Sequence, residues 1–411
     1  MSCHDILPSG STTVDETADN KKQTALITGA TGHVGRVLCE RIAKPKQLTV
    51  QTSSNKIKQN ENNSNDDINN LLSSIEKDFG KIIILGRNVT IGSELENKYL
   101  NVEFIKCDIS DSESVNTLLD PILSSVDVIF HCAALSTSWA RATDLYKANV
   151  QGTMNLANLA LAHYKKNKKL SRFVFVGTPS IYMSREHLYN VSENNDETLK
   201  MENMLNEYAK TKYMAEQFIL SLYREHQFPV VSIRPRAVIG IHDTAILPRI
   251  TQVLRERRFV NISEKDKPLL IDLTYIDNVV DALLLAYKRD KCLGKAYNIT
   301  NGEPLDLHKL CKELSKDYLN IDLNYEKKTG PDTFVPKKIN FTFAYFIGYI
   351  FECVFSLLGI YDRDPPLSRY AVATISRSAT FDLSNAQRDL GYSPRVPIRE
   401  GIQKVMRASK L

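Results

Sequence analysis

The sequence of 411 residues predicts an α/β protein in which a doubly wound parallel sheet carries a smaller C-terminal lobe. Short apolar runs recur through the first 235 residues, as expected of strands that are covered on both faces. Segments with helical periodicity separate several of these runs. A glycine-rich stretch, "TGATGHVG" (28–35), follows the first run and precedes a helical pattern. Strand, helix and strand in this rhythm are typical of a parallel sheet between two layers of helices.

Composition and charge limit the class of protein. An apolar fraction of 43% and a charged fraction of 25% are those of an ordinary globular protein. The net charge of +5 is small for this length, and the basic run "KKNKK" (165–169) is interpreted as a solvated helix end, so we expect no nucleic-acid partner. The seven cysteines are scattered, without a CxxC pair or a histidine at ligand spacing. We therefore expect no metal site and a cytoplasmic, reducing environment.

The first half of the chain contains the predicted dinucleotide-binding domain, residues 23–235. It follows a polar beginning without an apolar core, which we predict to be a disordered tail over 1–22. The first strand covers 24–28. The Asn-rich stretch 53–70 has almost nothing to bury, so we predict a solvated insertion over about 45–76. Later strands are predicted within 81–88, 102–110, 126–134, 172–180 and 230–236.

The segment "NEYAKTKYMAEQ" (206–217) is predicted to be one helix. Tyr208 and Lys212 are four residues apart, so they share a helix face with roughly 5–6 Å between them. Taken alone, the pair is compatible with a tyrosine at the edge of the core beside a surface lysine. Lys210 points elsewhere and is predicted to be a surface residue.

The second half, 236–411, is predicted to form mainly the substrate-binding lobe, with 270–300 returning to the dinucleotide-binding domain. A strand over 296–300 leads into a helix from about 305. Near the end, Gly391 stands where a helix C-terminus needs a left-handed residue.

The stretch 339–360, "INFTFAYFIGYIFECVFSLLGI", is the most apolar part of the chain. Three interpretations stay open for it: a membrane span, a helix in the membrane interface, and a helix that caps an apolar pocket. Glu352 lies within the stretch, and a carboxylate in mid-bilayer is costly, which weighs against the span.

The glycine-rich stretch has the spacing of a dinucleotide-binding turn in a Rossmann fold. Gly29 permits the tight turn, and Gly32 lets the backbone approach a pyrophosphate. Gly35 lets the helix pack closely on the strand, and the helix N-terminus faces the anion. Because the motif lies between a strand and a helix, it predicts that the chain binds NAD or NADP.

The predicted cofactor preference depends on Arg87. In NAD-binding folds an acidic residue at the end of the second strand accepts the ribose hydroxyls. Here that strand ends at Gly86–Arg87 without a carboxylate. Arg87 is placed to pair with a 2′-phosphate, so we predict NADP as the preferred cofactor and NAD as the second choice. The alternatives are that Arg87 stacks on adenine or faces solvent.

These motifs together resemble the extended short-chain dehydrogenase/reductase superfamily, from about residue 23 to the C-terminus. The shared elements are the TGxxGxxG turn, "NVQGT" (149–153) and the YxxxK pair. The stretches "VGTPSIY", "IRPRAVIG" and "LTYIDNVVDALLLA" further resemble its 3β-hydroxysteroid dehydrogenase-type branch, whose members act on sterols or long-chain β-keto acids. The first 22 residues and the Asn-rich stretch fall outside the resemblance.

The resemblance implies catalytic roles for four residues. Tyr208 is implied to be the proton donor or acceptor, with Lys212 lowering its pKa and holding the nicotinamide ribose. Thr178 takes the place of the family's serine and steadies the substrate oxygen, with Ser180 as the alternative. Asn149 matches an asparagine that supports a proton-relay water, although a helix-packing role is the alternative.

The resemblance also implies the cofactor contacts. Asp108 and Ile109 would lie at the adenine, Ala133 and Ala134 would line the cleft, and Pro235 would abut the nicotinamide. His131 is predicted to be a satisfied core histidine and not a catalytic base. The complete predicted cofactor set is Gly29, Thr31, Gly32, His33, Val34, Gly35, Arg87, Asp108, Ile109, Ala133, Ala134, Tyr208, Lys212 and Pro235.

The resulting hypothesis is an NAD(P)-dependent hydride transfer to or from a secondary alcohol or ketone of a sterol-like or long-chain keto substrate. One alternative is a nucleotide-sugar epimerase or dehydratase on the same scaffold. The other is a non-catalytic NADP-binding protein, against which the presence of both Tyr208 and Lys212 counts. A homodimer and a peripheral contact with a membrane are both compatible with the sequence.

Overall fold

A seven-stranded parallel sheet forms the centre of the chain, and helices cover both of its faces. The computed structural model describes residues 22–46, 63–262, 267–328, 330 and 333–408. Of the predicted N-terminal tail it describes Lys22 alone, so that prediction lies outside the described residues.

The strands are, in chain order, β1 (Gln23–Thr28), β2 (Phe79–Gly86), β3 (Val102–Lys106), β4 (Val128–His131), β5 (Arg172–Val176), β6 (Leu188–Val191), β7 (Val230–Pro235), β8 (Val238–Ile239), β9 (Val260–Asn261), β10 (Leu270–Ile271), β11 (Thr274–Tyr275), β12 (Ala296–Ile299), β13 (Leu305–Asp306), β14 (Asp322–Leu323), β15 (Thr333–Phe334), β16 (Lys337–Lys338) and β17 (Ala379–Phe381).

The α-helices are α1 (His33–Ile42), α2 (Asn63–Glu76), α3 (Val89–Lys98), α4 (Ser112–Leu123), α5 (Ala142–Leu145), α6 (Gly152–Asn167), α7 (Glu207–His226), α8 (Leu247–Arg255), α9 (Ile276–Lys288), α10 (Leu307–Leu319), α11 (Phe341–Leu357), α12 (Arg369–Thr374), α13 (Ser384–Leu390) and α14 (Ile398–Ala408). A π-helical turn, Tyr146–Gln151, joins α5 to α6.

The order of the central sheet is β12-β7-β5-β4-β1-β2-β3, and every pairing in it is parallel. The predicted α/β class with a doubly wound parallel sheet is therefore confirmed. From β1 the chain first builds outward through β2 and β3 and then returns to the other side of β1 with β4. A crevice forms at such a reversal, outside the carboxyl ends of the strands, and ligands of this fold class bind there.

Alternating side chains of β1 enter two separate cores. Ala25 and Ile27 belong to the apolar cluster on one face, and Leu26 belongs to the cluster on the other. All three side chains are fully buried. This two-residue period explains why the strands of a sheet covered on both faces have continuously apolar sequences.

The prediction of a solvated insertion is wrong for residues 63–76, which form α2. Leu72 and Ile75 of this helix are fully buried and belong to the same core cluster as α1. Ile68 and Leu71 pack against that cluster from the same helix. Residues 47–62 lie outside the described residues.

The C-terminal half contributes to both parts of the molecule. Strand β12 pairs with β7 at the edge of the central sheet, and the strongly buried helix α9 precedes it. A smaller sheet has the order β13-β10-β17-β6. The helix predicted from about residue 305 begins at Leu307, and Gly391 ends α13 with a φ of 72°, as predicted.

Two predictions about surface elements were tested by the structure. Helix α6 ends at Asn167 with Lys165 and Lys166 in its last turn, both exposed, which confirms the solvated helix end. The apolar stretch 339–360 contains the 17-residue helix α11. Within the described ranges, no helix combines the length and the apolarity that are needed to cross a membrane.

Candidate active site

The glycine-rich turn between β1 and α1 is shaped by close backbone contacts. Gly29 has a φ of 68°, and a Cβ there would lie 2.7 Å from the Cα of Ala133. A Cβ on Gly35 would lie 2.5 Å from the carbonyl oxygen of Gly29. Both positions therefore require glycine. Gly32 caps α1, whose first N–H groups lack helical partners and are suited to bind an anion.

The predicted cofactor residues on the neighbouring strands gather at one edge of the sheet. Arg87 follows β2, Asp108 and Ile109 follow β3, and Pro235 ends β7. Ala133 follows β4, and its N–H donates to the Thr28 hydroxyl over 3.2 Å. Because carboxyl ends of parallel strands meet at the same edge, the structure brings these residues to the crevice beside the glycine turn.

The other residues of the turn differ in what they contact. The side chain of Thr31 lies over Gly86 at the end of β2, where a Cβ would come within 2.7 Å of the Thr31 hydroxyl oxygen. Val34 packs against the core. Burial lowers the pKa of His33, more than nearby Asp243 raises it. Its Nε2 is buried without a hydrogen-bond partner among the described residues, so His33 remains a candidate contact only.

Arg87 and Asp108 face each other across the ends of β2 and β3. Their closest charged atoms are 3.9 Å apart, and their side chains are 69% and 46% exposed. Burial acts to raise the pKa of Asp108, but hydrogen bonds from Ser110 and the charge of Arg87 hold it below the ordinary value. At this exposure the ion pair is weak, so a phosphate could compete for the guanidinium.

Tyr208 lies in the first turn of α7, which Asn206 caps by accepting a hydrogen bond from the Ala209 N–H. Its phenol lies near the hydroxyls of Ser136 and Thr178, and hydrogen bonding by these two groups acts to lower its pKa. Burial raises the pKa of Tyr208, and those hydrogen bonds only partly offset the rise. The prediction that Lys212 lowers this pKa is not confirmed, because Lys212 is not among the groups that shift it.

Lys212 lies one turn further along α7 and is almost fully buried, with 3% of its surface exposed. Its ammonium donates to the Val176 carbonyl over 2.6 Å and lies 4.1 Å from the centre of the Phe175 ring. Burial lowers the pKa of Lys212 to about 8, although the carboxylate of Glu216 opposes the shift. The structure thus anchors Lys212 to the end of β5.

Thr178 and Ser180 follow β5 and are bonded to each other. The Thr178 hydroxyl donates to the Ser180 hydroxyl over 3.1 Å and accepts the Ser180 N–H over 3.2 Å. Ser180 also lies 3.3 Å from the Tyr370 hydroxyl. Thr178 is the member of the pair whose hydrogen bond with Tyr208 affects the phenol, which favours Thr178 over Ser180 for the substrate oxygen. Its catalytic role stays a prediction.

Asn149 is fully buried in the π-helical turn before α6. Its carbonyl oxygen accepts the Leu135 N–H over 2.7 Å, and its amide donates to the Leu135 carbonyl over 3.3 Å and to the Thr211 hydroxyl over 3.1 Å. These contacts fix the loop that carries Ser136 against α7. The packing alternative thereby gains support, and the proton-relay role stays a prediction.

His131 is fully buried at the end of β4. Its ring nitrogens lie 2.7 Å from the Thr28 hydroxyl and 2.8 Å from the Thr153 hydroxyl. Burial, reinforced by the charge of Lys212, lowers its pKa to about 3. The prediction of a satisfied core histidine is confirmed, since the neutral ring is bonded at both nitrogens.

Sequence reasoning missed two hydroxyl residues at this site. Ser136 contacts Tyr208, and Tyr370 lies near enough to raise the pKa of that phenol. The run "STS" (136–138) after β4 was an available signal, because polar residues at the carboxyl end of a strand in this fold face the crevice. Tyr370 comes from α12, far along the chain, and no local pattern marks it.

A buried cluster of charged residues holds the middle of α7 against the sheet. Arg234 of β7 is fully buried and donates to Glu216 of α7, with a closest distance of 2.5 Å, and to Asp196 over 2.7 Å. Tyr182 bonds to the same arginine over 2.6 Å. Because Glu216 lies one turn beyond Lys212, the cluster also sets the position of the face of α7 that carries Tyr208 and Lys212.

A cavity of about 540 Å³ lies beside the site and reaches Tyr370. Its wall includes Trp139, whose indole donates to the Ile360 carbonyl over 2.9 Å and stacks on Tyr361. The lining combines aromatic and apolar residues with charged ones. The lining residues are Ser138, Trp139, Ala140, Leu145, Ser184, Arg185, Glu186, Glu202, Asn203, Met204, Leu205, Asn206, Glu207, Lys210, Tyr345, Glu352, Arg369 and Tyr370.

Comparison with known proteins gives matches over most of the chain. The NAD dependent epimerase/dehydratase family profile matches residues 25–300. A 2-alkyl-3-oxoalkanoate reductase of Stenotrophomonas maltophilia is 30% identical over 318 residues, which cover 76% of this chain and 88% of that protein. A decarboxylating sterol-4-alpha-carboxylate 3-dehydrogenase of Saccharomyces cerevisiae is 26% identical, over 74% of this chain and 82% of that protein.

Solved structures share the fold. A dTDP-glucose 4,6-dehydratase from Streptomyces venezuelae with NAD and TYD bound matches with a TM-score of 0.63 and 18% identity, over 94% of this chain and 96% of that one. A UDP-glucuronic acid 4-epimerase from Bacillus cereus in complex with NAD matches with a TM-score of 0.60 and 20% identity, over 94% and 96%. At these identities the likeness concerns the fold alone.

Proposed function

The chain belongs to the NAD-dependent epimerase/dehydratase family, and on that premise we propose that it is an oxidoreductase acting on a secondary alcohol or ketone of a hydrophobic substrate. One observation carries the proposal. The Tyr208 phenol lies near the hydroxyls of Thr178 and Ser136, which lower its pKa, at the carboxyl edge of the sheet and one helical turn from the buried Lys212. The glycine turn that would hold a dinucleotide lies at the same edge.

The residues at that edge fit a nicotinamide dinucleotide. The left-handed Gly29, the close approach at Gly35 and the N-terminus of α1 form a cradle that a Cβ would fill. When bound there, the cofactor supplies or accepts a hydride through its nicotinamide ring. The proposed contacts are Gly29, Thr31, Gly32, His33, Val34, Gly35, Arg87, Asp108, Ile109, Ala133, Ala134, Lys212 and Pro235.

Within this proposal Tyr208 is the proton donor during carbonyl reduction. Burial raises its pKa, so the phenol keeps its proton at neutral pH and has it available for an alkoxide that forms next to it. Thr178 and Ser136 lie near the same hydroxyl, and they would hold the substrate oxygen as charge develops. The Lys212 ammonium, held at the end of β5 by the Val176 carbonyl, would bind the nicotinamide ribose.

We further propose that NADP is preferred over NAD. Support comes from Arg87, whose side chain is 69% exposed at the end of β2 and makes a 3.9 Å contact with Asp108. A 2′-phosphate would replace that contact with a charge-assisted and bidentate one. Asp108 at the next strand end is the feature that would favour ribose hydroxyls instead.

The substrate class is proposed from two kinds of support. Relatives that match most of the chain are reductases of 2-alkyl-3-oxoalkanoates and dehydrogenases of sterol-4-alpha-carboxylates. Trp139, Met204 and Tyr345 in the wall of the cavity would contact the apolar part of such a substrate, and the charged part of the lining would contact its carboxylate.

A second candidate is a nucleotide-sugar epimerase or dehydratase, which the charged part of the cavity lining favours. Glu202, Glu207 and Lys210 could bind a polar substrate. We rank it second because these two relatives, which match most of the chain, are named for an oxoalkanoate and a sterol carboxylate and not for a nucleotide sugar.

The test is to follow oxidation of NADPH and of NADH by the full chain with long-chain 3-keto acids and 3-ketosterols, and to analyse the products formed from nucleotide sugars separately, because epimerisation and dehydration consume no net cofactor. We expect turnover with a hydrophobic ketone and a preference for NADPH. Tyr208→Phe should abolish turnover and leave cofactor binding intact, whereas Tyr213→Phe, also on α7, is the matched control that should keep activity. Turnover with nucleotide sugars alone would overturn the substrate class, and equal or tighter binding of NADH would overturn the cofactor preference.

A further inference from the structure

Helix α11 presents an apolar face to solvent. Its exposed side chains recur at helical spacing, with Phe343 60%, Phe346 57% and Leu357 88% exposed. Ile350 and Val354 lie between them and are also exposed. These five residues are called the apolar face below. A surface helix ordinarily turns such a stripe toward the core and polar residues toward water, whereas α11 has apolar side chains on its inner side and on its solvent side.

The charged residue of α11 points into the protein. Glu352 accepts the Arg369 backbone N–H over 2.7 Å and its guanidinium Nε over 2.6 Å, and its side chain is 12% exposed. The inner side of the helix is also held by close packing. Ala344 and Gly348 are buried, and a Cβ on Gly348 would come within 3.0 Å of the Arg369 nitrogen. These contacts hold α11 against the rest of the protein along its length, and its apolar face stays exposed to solvent.

Basic side chains adjoin the N-terminal end of the apolar face. Lys337 and Lys338 form the exposed strand β16, three residues before α11 begins. This strand pairs with β9, and the preceding segment exposes Arg255 and Arg258, of which Arg258 is paired with Glu256 over 2.8 Å. Near the other end of the helix, Asp364 is paired with Arg249 over 2.5 Å. The charge next to the apolar face is thus predominantly positive.

We propose that the apolar face and Lys337–Lys338 together bind the surface of a membrane that contains anionic lipids. A helix of 17 residues is about 26 Å long, and its attachment along the inner side keeps it parallel to the surface on which it rests. Phe and Leu side chains can enter the boundary between headgroups and acyl chains, while the lysines meet the anionic headgroups.

The charges around α11 favour lipid over a second copy of the chain as the partner that covers the apolar face. A second copy would bring another pair of lysines to the interface, and the carboxylates beyond α11, Asp362 and Asp364, are already matched in number by Arg363 and Arg249. Anionic headgroups supply the opposite charge over the whole surface. The proposal goes beyond the proposed function and does not require it, because it concerns binding to lipid without cofactor or substrate.

The membrane contact would also place the cavity next to the lipid. Tyr345 and Glu352 line that cavity from the inner side of α11, and the apolar face is on the outer side of the same helix. One helix diameter, about 10 Å, would separate the cavity from the bilayer surface. A hydrophobic compound dissolved in the bilayer would then be concentrated near the cavity.

Vesicle flotation of the full chain tests the proposal, with vesicles of phosphatidylcholine alone and with added phosphatidylserine. We expect binding to the anionic vesicles and a loss of about tenfold or more in the variant F343S/F346S/L357S. K337E/K338E should reduce binding to the anionic vesicles by about tenfold or more. These positions are exposed, so both variants should keep the thermal unfolding temperature of the unchanged chain.

The matched controls are L100S/Y189S, at exposed apolar positions away from α11, and K165E/K166E, at the end of α6. Both should bind vesicles like the unchanged chain. Absence of binding to anionic vesicles, or equal binding by F343S/F346S/L357S, would overturn the proposal. Light scattering that shows a dimer of the unchanged chain and a monomer of that variant, without vesicle binding, would assign the face to a second copy and overturn it as well.

Discussion

The Tyr208 hydroxyl is the point at which three parts of the chain meet. Its helix supplies the phenol, the end of β5 supplies Thr178, and the loop after β4 supplies Ser136. Burial keeps the phenol protonated, so the protein alone is prepared to give a proton and not to take one. In the oxidising direction, a positive charge near the phenol would have to lower its pKa.

Variants of Thr178 and Ser180 test which of the two hydroxyls holds the substrate oxygen. Thr178→Val keeps the shape and removes the hydroxyl that bonds with Tyr208, so kcat should fall by about 10²-fold or more while cofactor affinity stays unchanged. Ser180→Ala is the matched control and should retain most of the turnover, because Ser180 is bonded to Thr178 and Tyr370. Steady-state kinetics of both variants check this, and the reverse pattern would assign the role to Ser180.

Lys212 gives a pH-dependent test at the same scale. Its pKa is lowered from 10.5 to about 8 in the folded chain, so between these values the unfolded chain binds more protons and stability rises with pH. Below pH 8 the buried ammonium costs about 3 kcal/mol. Lys212→Met should therefore lose turnover without losing stability at pH 7.

Urea unfolding at pH 7, 8, 9 and 10 measures this linkage. The free energy of unfolding of the unchanged chain, minus that of Lys212→Met, should increase across the series. Lys210→Met is the control, since Lys210 is partly exposed and paired with Glu207 on the surface. A difference that stays constant from pH 7 to pH 10 would show that burial does not shift the pKa of Lys212.

At the residue scale, the sequence predicted what spacing and type determine. The helical separation of Tyr208 and Lys212 and the place of Thr178 after a strand are local properties. The contacts of Ser136 and Tyr370 depend on how a loop and a distant helix are packed, and the direction of the Tyr208 pKa depends on burial. These properties arise only in the folded chain.

At the element scale, helix α2 shows how composition can hide a pattern. Its asparagines suggested a solvated stretch, yet Ile68, Leu71, Leu72 and Ile75 follow the helical period and face the core. The apolar period was the better guide, because burial follows the position of apolar residues on a helix and not their average. The strands of the central sheet were predicted well, since a short apolar run bounded by turn residues is typical of a buried strand.

Helix α2 can be tested by a core truncation. Leu72→Ala removes a fully buried side chain, so the free energy of unfolding should fall by about 2–5 kcal/mol. Ser73→Ala, at an exposed position of the same helix, should change it by less than about 0.5 kcal/mol. Chemical denaturation of the two variants decides, and equal stabilities would mean that α2 does not belong to the core.

At the scale of the whole molecule, a buried carboxylate joins the C-terminal segment to the dinucleotide-binding part. Asp281 of α9 is almost fully buried and accepts two hydrogen bonds from Arg395, each over 2.7 Å. Arg41 of α1 reaches the same carboxylate over 3.3 Å, and Arg395 also donates to Asn69 of α2 over 3.0 Å. Elements from both ends of the chain therefore depend on one acidic group.

Removal of Arg395, one of the partners of Asp281, should lower the free energy of unfolding of the whole fold. Arg395→Met leaves part of the Asp281 charge unpaired, and we expect a loss of about 3 kcal/mol. The control Arg399→Met breaks an exposed pair with Glu313, which should cost less than about 1 kcal/mol. Thermal and urea unfolding of the two variants give the comparison. Equal losses would show that the Asp281 cluster is no more important than a surface ion pair.

The pairing of β1 with β2 has a consequence for how such proteins diverge. Thr28 is opposite Leu85 in the sheet, so Arg87 stays beside the glycine turn however many residues the connection between the two strands contains. Lengthening a surface connection has a small entropic cost that grows slowly with its length. Insertions can therefore accumulate there during evolution while nucleotide recognition is preserved. A homology search that requires a fixed number of residues between the glycine turn and the residue at the end of β2 will miss proteins with such insertions. A search that aligns the strands with each other will find them.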